Sequence, residues 1–314
     1  MEKKKRAGHV NLLNGADSRV FNPLKLFNHF FPAPKSRSSV CGTRTDFFLT
    51  NAERRFYRLS MVPVAHSPEK SDSAKSISTW TGTAREQAVQ RMFTGIARFY
   101  DLNNSLLSFG LHHLWKKRAV RGVTDTGGRA LDLGAGTGDL AILLNQKIGP
   151  SGQVVAADLN EAMLRVGLQK IQEKRLEPRI SCFQMNAEYL TFQNDSFHTV
   201  TAGFCVRNVG DHMRAFKEIH RVLQPGGRFI CLEFSRPTTA ILRKLYDVYS
   251  FRLLPWIGTV VARDGTGVYE YLPASIRTFP DQERLRELLL KAGFQHVDHQ
   301  NLSGGIVAIH TAVK

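Results

Sequence analysis

Residues 129–139 read Arg129-Ala130-Leu131-Asp132-Leu133-Gly134-Ala135-Gly136-Thr137-Gly138-Asp139. The first five predict a short apolar strand with an acid near its end, and the alternate glycines predict a sharp turn. We expect an amphipathic helix to follow, from residue 139 to residue 148. A strand that ends in glycines and continues as a helix is typical of the opening of a nucleotide-binding α/β unit.

Strand-like and helix-like segments then alternate along the chain. The further strands are expected at 153–157, 179–184, 197–204 and 228–234, and the further helices at 161–173 and 211–223. A helix at 281–292 precedes two strands, 295–301 and 306–313, joined by a turn at 303–305. This order predicts an α/β fold with an open, mostly parallel seven-stranded sheet and a C-terminal antiparallel hairpin.

Several polar or small residues fall at the predicted carboxyl ends of strands, where ligands bind in open α/β sheets. Asp158 follows the second strand, twenty residues beyond Gly138, and its carboxylate could accept both ribose hydroxyls of an adenosine. Asp158 could equally cap the helix at 161–173. A side chain in the stretch Asn186-Ala187-Glu188 could read an adenine amino group, and residues 203–208 follow the fourth strand.

The first part of the chain has a different composition from the rest. The net charge is +16, and residues 1–60 hold half of this excess, with twelve Lys or Arg and four Asp or Glu. We predict that residues 1–83 are a basic, disordered extension outside the folded body at 84–314. An early start before Met61 and an organelle transit segment are two further interpretations of this segment.

Composition also limits the partners and metals to be expected. The folded body is moderately basic, which suits an anionic membrane surface, but no basic run interleaved with aromatics predicts a nucleic-acid partner. No metal is expected, because the cysteines lack metal-ligand spacing; we interpret them as reduced core thiols, and they are Cys41, Cys182, Cys205 and Cys231. No apolar run reaches the roughly 18–20 residues of a membrane span.

Two segments outside the alternation could wall a ligand pocket. Residues 84–122 have apolar side chains at helical spacing, and residues 235–280 carry seven aromatics in a connection of unusual length. We predict a helical lid built from both segments. Packing against the sheet, with no role at a site, is the alternative for each.

The glycine loop, Asp158, the Pro225-Gly226-Gly227 turn and the closing hairpin resemble class I S-adenosylmethionine-dependent methyltransferases, which have a Rossmann-like fold. A closer resemblance, over residues 88–314, is to the ubiquinone/menaquinone biosynthesis C-methyltransferase family. It is carried by motifs in sequence order that include Phe99-Tyr100-Asp101-Leu102-Asn103, Arg207-Asn208-Val209, Leu232-Glu233-Phe234-Ser235, Tyr271-Leu272, Ser275-Ile276-Arg277 and Gly304-Gly305-Ile306-Val307-Ala308-Ile309-His310.

The resemblance implies an enzyme that uses S-adenosyl-L-methionine to methylate a ring carbon of a polyprenylated quinol, in menaquinone or ubiquinone biosynthesis. It implies cofactor-binding roles for Asp132, Gly134, Gly136, Thr137, Asp158, Asn186, Ala187 and Gly203. Where the family has a Ser-Phe-Gly-type sequence, this chain has Ala202-Gly203-Phe204, so Gly203 can contribute only backbone contacts.

The same resemblance assigns catalysis to Arg207 and Asn208. Arg207 would stabilise a phenolate, since a guanidinium stays charged, and Asn208 would orient a water. A structural ion pair between Arg207 and an acid such as Asp211 is the alternative. His112 and His310 are further base candidates, although a structural role is favoured for both.

Other functions and partners stay open at this stage. The acceptor could be another small apolar molecule, or the protein could be a non-catalytic subunit of a quinone-synthesis complex. We expect a polyprenyl quinol substrate, with peripheral membrane contact and a homodimer as further possibilities. The absence of a long insertion after the second strand favours a bacterial-type cytoplasmic enzyme, whereas a transit segment in 1–60 would direct it to a mitochondrial matrix or plastid.

Overall fold

The computed structural model describes residues 82–124, 127–254 and 267–314 of the 314-residue chain. The predicted basic extension therefore lies outside the described residues, except that its last two positions begin the first helix. Everything below concerns the described ranges.

Seven strands form one sheet in the order β3-β2-β1-β4-β5-β7-β6. The first five run parallel, and β7 is antiparallel to both β5 and β6. This confirms the predicted mostly parallel sheet and its C-terminal hairpin. The strands are β1 (Arg129–Leu133), β2 (Gln153–Asp158), β3 (Ile180–Gln184), β4 (Phe197–Gly203), β5 (Leu223–Phe234), β6 (His296–Leu302) and β7 (Val307–Val313).

Nine α-helices lie within the described ranges. They are α1 (Gly82–Ile96), α2 (Tyr100–Leu107), α3 (Leu111–Val120), α4 (Asp139–Lys147), α5 (Glu161–Glu173), α6 (His212–Val222), α7 (Ala240–Val248), α8 (Val268–Thr278) and α9 (Gln282–Lys291). A π-helical turn, Tyr249–Leu253, extends α7. The predicted helical character of residues 84–122 is confirmed. No helix in the described part of the chain is both long and apolar enough to cross a membrane.

The strands are apolar because helices cover both faces of a parallel sheet. In β1 only Arg129 is partly exposed, and the other four residues are buried. The core that results holds the central strands rigidly, so the loops at their carboxyl ends have a fixed base on which to present ligand-binding groups.

Two local predictions were wrong. The Pro225-Gly226-Gly227 segment does not precede β5 but lies inside it, because the strand already begins at Leu223. Gly226 has a φ of +77°, which bends the strand there, and its N–H donates to the carbonyl of Lys314 at 3.0 Å. The N-cap of α5 is Asn160 rather than Asp158, since the Asn160 side chain accepts from the Met163 N–H.

Candidate active site

Two cavities adjoin at the carboxyl edge of the sheet. The first lies over the ends of β1, β2 and β4, and the second, the larger of the two, lies between helices α2, α3, α7 and α8. Phe93, Tyr100 and Phe204 line both cavities. A molecule in the first cavity can therefore meet a molecule in the second across these three side chains.

The glycine loop forms the floor of the first cavity. Gly134 and Gly136 line it, and both have a positive φ, of 60° and 54°. A Cβ at Gly134 would stand 2.5 Å from the Sγ of Cys205, so the loop can approach the end of β4 only with glycine there. The absent side chains leave backbone open to a ligand, as the sequence predicted.

Asp158 connects the end of β2 to this loop. Its Oδ2 accepts the N–H of Gly136 at 2.8 Å, and its Oδ1 accepts the N–H of Asn160 at 2.7 Å. Burial raises the pKa of Asp158, and these backbone donors oppose the shift. Each carboxylate oxygen can accept more than one hydrogen bond, so Asp158, which lines the cavity, can still receive two hydroxyls.

Three more residues singled out from the sequence line the first cavity. Asn186 and Ala187 come after β3, and Gly203 ends β4. The Oδ1 of Asn186 accepts the N–H of Glu188 at 2.9 Å, and its Nδ2 donates to Glu86 at 3.4 Å. Burial, with the nearby charge of Glu188, raises the pKa of Glu86. Glu188 belongs to the stretch that the sequence singled out, whereas Glu86 was missed because α1 and this loop meet only in the folded chain.

Asp132 and Thr137 do not reach the first cavity. Asp132 is 1% exposed beneath the loop, where its Oδ1 accepts the hydroxyl of Thr201 at 2.7 Å. Its Oδ2 has no hydrogen-bond partner in the described structure. Thr137, also buried, donates its hydroxyl to Asp101 of α2 at 2.6 Å. Neither side chain lines the first cavity, so their direct contact with the cofactor stays a prediction.

A network of charged side chains links the helices before β1 to the helix that follows the glycine loop. Lys170 of α5 binds both Asp101, at 2.9 Å, and Asp139, and Lys116 of α3 binds Asp139 at 2.9 Å. Burial alone would raise the pKa of Asp139, but the two ammonium groups hold it at about 2. The network connects α2 and α3 to the start of α4.

One group in the described residues has metal-ligand proximity, namely His112, His113 and Asp139. The carboxylate of Asp139 is already neutralised by Lys116 and Lys170. Two cations beside the only anionic ligand make this group a poor metal site.

Arg207 and Glu233 form a buried ion pair at the boundary of the second cavity. Their side chains are 6% and 1% exposed, and the Nη1 of Arg207 donates to Glu233 at 2.8 Å. Burial would lower the pKa of Arg207, but the Glu233 carboxylate raises it above its ordinary value. The predicted alternative partner, Asp211, instead caps α6 by accepting the N–H of Arg214. The Arg207 Nε has no partner within the described residues.

Asn208 and Arg207, although adjacent in sequence, face different cavities. Asn208 lines the first cavity and Arg207 lines the second. The hydroxyl of Tyr271, from α8, donates to the Oδ1 of Asn208 at 2.9 Å. Burial raises the pKa of Tyr271, while the nearby arginines oppose the shift. These polar groups lie where the two cavities adjoin.

The two histidine candidates differ in position. His112 lines the second cavity, and burial, together with Lys116, lowers its pKa to about 4. Ser108 gives its only hydrogen to the carbonyl of Asn104 at 2.6 Å, so His112 Nδ1, 2.9 Å from that hydroxyl, must donate. His310 is held by the carbonyl of Gln282 at 2.8 Å and lines neither cavity, which supports a structural role.

The described cysteines are free thiols, namely Cys182, Cys205 and Cys231. Burial raises the pKa of all three. They are therefore protonated at neutral pH, as expected of core thiols. Cys41 lies outside the described residues.

Asp132 should make stability pH-dependent. Burial raises its pKa to about 7, so the folded protein holds a proton that the unfolded chain loses near pH 4. Stability is therefore lost as pH rises through this window. Between about pH 5 and pH 8 the wild type should lose about 2–3 kcal/mol of unfolding free energy relative to Asp132→Asn, as measured by denaturant titration. Parallel pH profiles would contradict this assignment.

Two curated relatives match most of this chain. The ubiquinone/menaquinone biosynthesis C-methyltransferase UbiE of Yersinia enterocolitica is 45% identical over 232 residues, which are 73% of this chain and 92% of that protein. The protein of the same name from Legionella pneumophila is 46% identical over 231 residues, with the same shares of the two chains.

Solved structures agree on the fold. An S-adenosylmethionine-dependent methyltransferase from Thermotoga maritima covers 71% of this chain and 98% of its own, with a TM-score of 0.51 and 19% identity. The [4+2]-cyclase SpnF covers 65% and 81%, with a TM-score of 0.50 and 20% identity. Because these neighbours include a cyclase, the architecture alone does not assign the reaction.

The family assignment rests on sequence. Residues 81–314, which include both cavities, match one family along their whole length. Together with the identities of about 45% to UbiE proteins, this match means that the chain belongs to the ubiE/COQ5 methyltransferase family.

Proposed function

We propose that the protein transfers a methyl group from S-adenosyl-L-methionine to a ring carbon of a polyprenylated quinol, in menaquinone or ubiquinone biosynthesis. Family membership carries the enzyme class, the cofactor and the pathway. The main structural support is the pair of adjoining cavities, one for the cofactor and one for the acceptor. They share Phe93, Tyr100 and Phe204.

The first cavity suits the cofactor. Gly134 and Gly136 leave bare backbone on its floor, and Asp158 has free acceptor capacity for ribose hydroxyls. Asn186 and Glu86 lie where an adenine amino group could be read. The bound cofactor supplies an electrophilic methyl group on a sulfonium. The residues of the cavity would hold that methyl group in line with the acceptor.

The second cavity suits an apolar acceptor. Its lining is mostly aliphatic and aromatic, and it includes Met92, Ile96, Leu107, Trp115, Phe234, Leu242, Tyr246, Tyr249 and Leu254. Arg207 brings a guanidinium into this apolar setting. Glu233 balances its charge, but the Arg207 Nε has no partner in the described residues and can donate to an acceptor oxygen. A charged donor held there without water would stabilise a phenolate, which makes the neighbouring ring carbon nucleophilic.

The acceptor hydroxyl must lose a proton, since a phenol has a pKa near 10 in water. Asn208, fixed by Tyr271, is placed to orient a water at the junction of the cavities. His112 would be neutral, with its Nδ1 committed to Ser108. We assign proton removal to a water ordered by Arg207 and Asn208, which would pass the proton on to solvent; the Nε2 of His112, unpartnered among the described residues, is the second candidate acceptor.

Three finer points belong to this proposal. A homodimer and peripheral membrane contact are further parts of it. The proposed location is cytoplasmic for a bacterial-type enzyme, or a mitochondrial matrix or plastid if residues 1–60 are a transit segment. Methylation of a different small apolar acceptor would use the same first cavity. A non-catalytic role is disfavoured because the glycine loop and Asp158 retain their binding geometry.

The acceptor can be tested with paired substrates. We expect methyl transfer to demethylmenaquinol or to a demethoxy-type benzoquinol, followed by mass spectrometry of the product, with cofactor binding measured by calorimetry. Methylation of neither quinol by a protein that binds the cofactor would contradict the proposed function. Methylation of only one of them would identify the ring.

Asp158→Ala should weaken cofactor binding. Each lost hydrogen bond to a carboxylate costs roughly 1.5–3 kcal/mol, so the loss of both should raise the Kd by at least about a hundredfold. Asp158→Asn keeps the side-chain volume and one acceptor oxygen. Its Kd should lie between those of the wild type and Asp158→Ala. Calorimetry on folded samples measures all three. Equal Kd values would remove the ribose role.

Arg207 can be tested without leaving a buried charge unpaired. Arg207→Gln alone should lower stability by about 3–5 kcal/mol, because Glu233 is stranded. The double variant Arg207→Gln/Glu233→Gln should regain most of that stability and bind the cofactor normally. Its kcat should nevertheless fall about 10²–10³-fold, because the phenolate loses its counter-charge. A double variant with wild-type kcat would make the pair purely structural.

A further inference from the structure

Helix α7 presents an apolar stripe to solvent. None of its residues is buried, and Ile241, Leu245 and Val248, spaced one helical turn apart, are 76%, 63% and 54% exposed. The following turn adds Phe251 and Leu253, which are also exposed. A helix with this arrangement normally buries its apolar face against another surface.

A second stripe lies on α2, on the turn that follows it and on α3. No residue of α2 is buried. The exposed side chains of this stripe are Phe99, Leu102, Leu106, Phe109, Leu111 and Leu114, and Phe109 at the turn is 78% exposed. The turn is braced, because the Tyr249 hydroxyl donates to the carbonyl of Leu107 at 2.6 Å.

The two stripes meet at the opening of the second cavity. Phe109 and Leu245, one from each stripe, are both largely exposed and both line that cavity. The rings of Phe109 and Tyr249 lie 6.2 Å apart, so the turn after α2 contacts the π-helical turn that extends α7. We call this surface the apolar rim. It surrounds the route by which an apolar acceptor would enter.

The charge beside the apolar rim is positive. Residues 97–121 and 240–254 together hold eight Lys or Arg and two Asp. Both acids are already paired, Asp101 with Lys170 and Asp247 with Arg277. Exposed cations such as Lys117, Lys244 and Arg252 therefore face the solvent without nearby compensating acids on these segments. Exposed apolar groups with adjacent cations fit an anionic lipid surface.

We propose that the apolar rim docks on an anionic bilayer, with α7 and the turn at Phe109 inserted among the lipid headgroups. Resting on the proposed function, this arrangement lets a polyprenyl acceptor pass from the lipid into the second cavity without exposing its chain to water. A second copy of the protein on this surface would block the cavity opening, whereas a bilayer would deliver the acceptor through it. A bilayer is therefore the favoured occupant.

The test uses the full chain and two double variants, Ile241→Glu/Val248→Glu on α7 and Leu102→Glu/Leu106→Glu on α2. None of these four residues lines either cavity. Flotation with phosphatidylglycerol-containing liposomes should fall at least tenfold for each. Turnover of a long-chain quinol in those liposomes should fall in parallel, while turnover of a short-chain, water-soluble quinol should match wild type. Leu290→Glu, on α9, is the matched control and should float normally.

The outcomes separate docking from chemistry. Wild-type flotation by both double variants would overturn the proposal and assign lipid binding to another segment, such as the basic residues 1–60. Normal lipid binding together with loss of a dimer in light scattering would make the rim a self-association surface and also overturn it. If wild type floats but methylates neither quinol, the proposed function fails while the docking surface stands.

Discussion

The strand order of the sheet reverses between β1 and β4, and this reversal sets the position of the candidate active site. The chain winds outward from β1 through β2 to β3, then returns to put β4 on the other side of β1. The loops that leave β1 and β4 therefore diverge, and a crevice opens between them. The glycine loop, Asp158 and the residues after Gly203 all border that crevice because each follows a parallel strand.

The boundary between the two cavities is unusually constrained. Phe204 has a φ of +59°, which is costly for a bulky residue, and its ring packs 4.9 Å from that of Phe234. Three residues later, Arg207 is held by Glu233 and by the carbonyl of Phe204 at 2.6 Å. These contacts fix the aromatic wall and the buried charge relative to each other, as a methyl transfer between the cavities requires.

Prediction from sequence worked best where the signal was local. Glycines in alternation, an acid at a strand end and a turn before a terminal strand are all short-range patterns, and each predicted position lies at or close to its place. It was incomplete where two distant segments had to meet. Asp132 and Thr137 belong to the motif but are buried against Thr201 and Asp101, and the partner of Arg207 is Glu233 on β5 rather than nearby Asp211.

The sequence by itself determined the fold class and the residues at the strand ends, because periodicity, glycines and caps act within a few residues of each other. It also determined the family, through the resemblance of motifs that occur in the same order along the chain. Only the tertiary structure decided which of those residues face a cavity, and that Arg207 and Asn208 serve different ones. It alone also joined α2 to α7 in one exposed apolar rim. Packing between helices far apart in the chain sets these relations, and no local pattern records that packing.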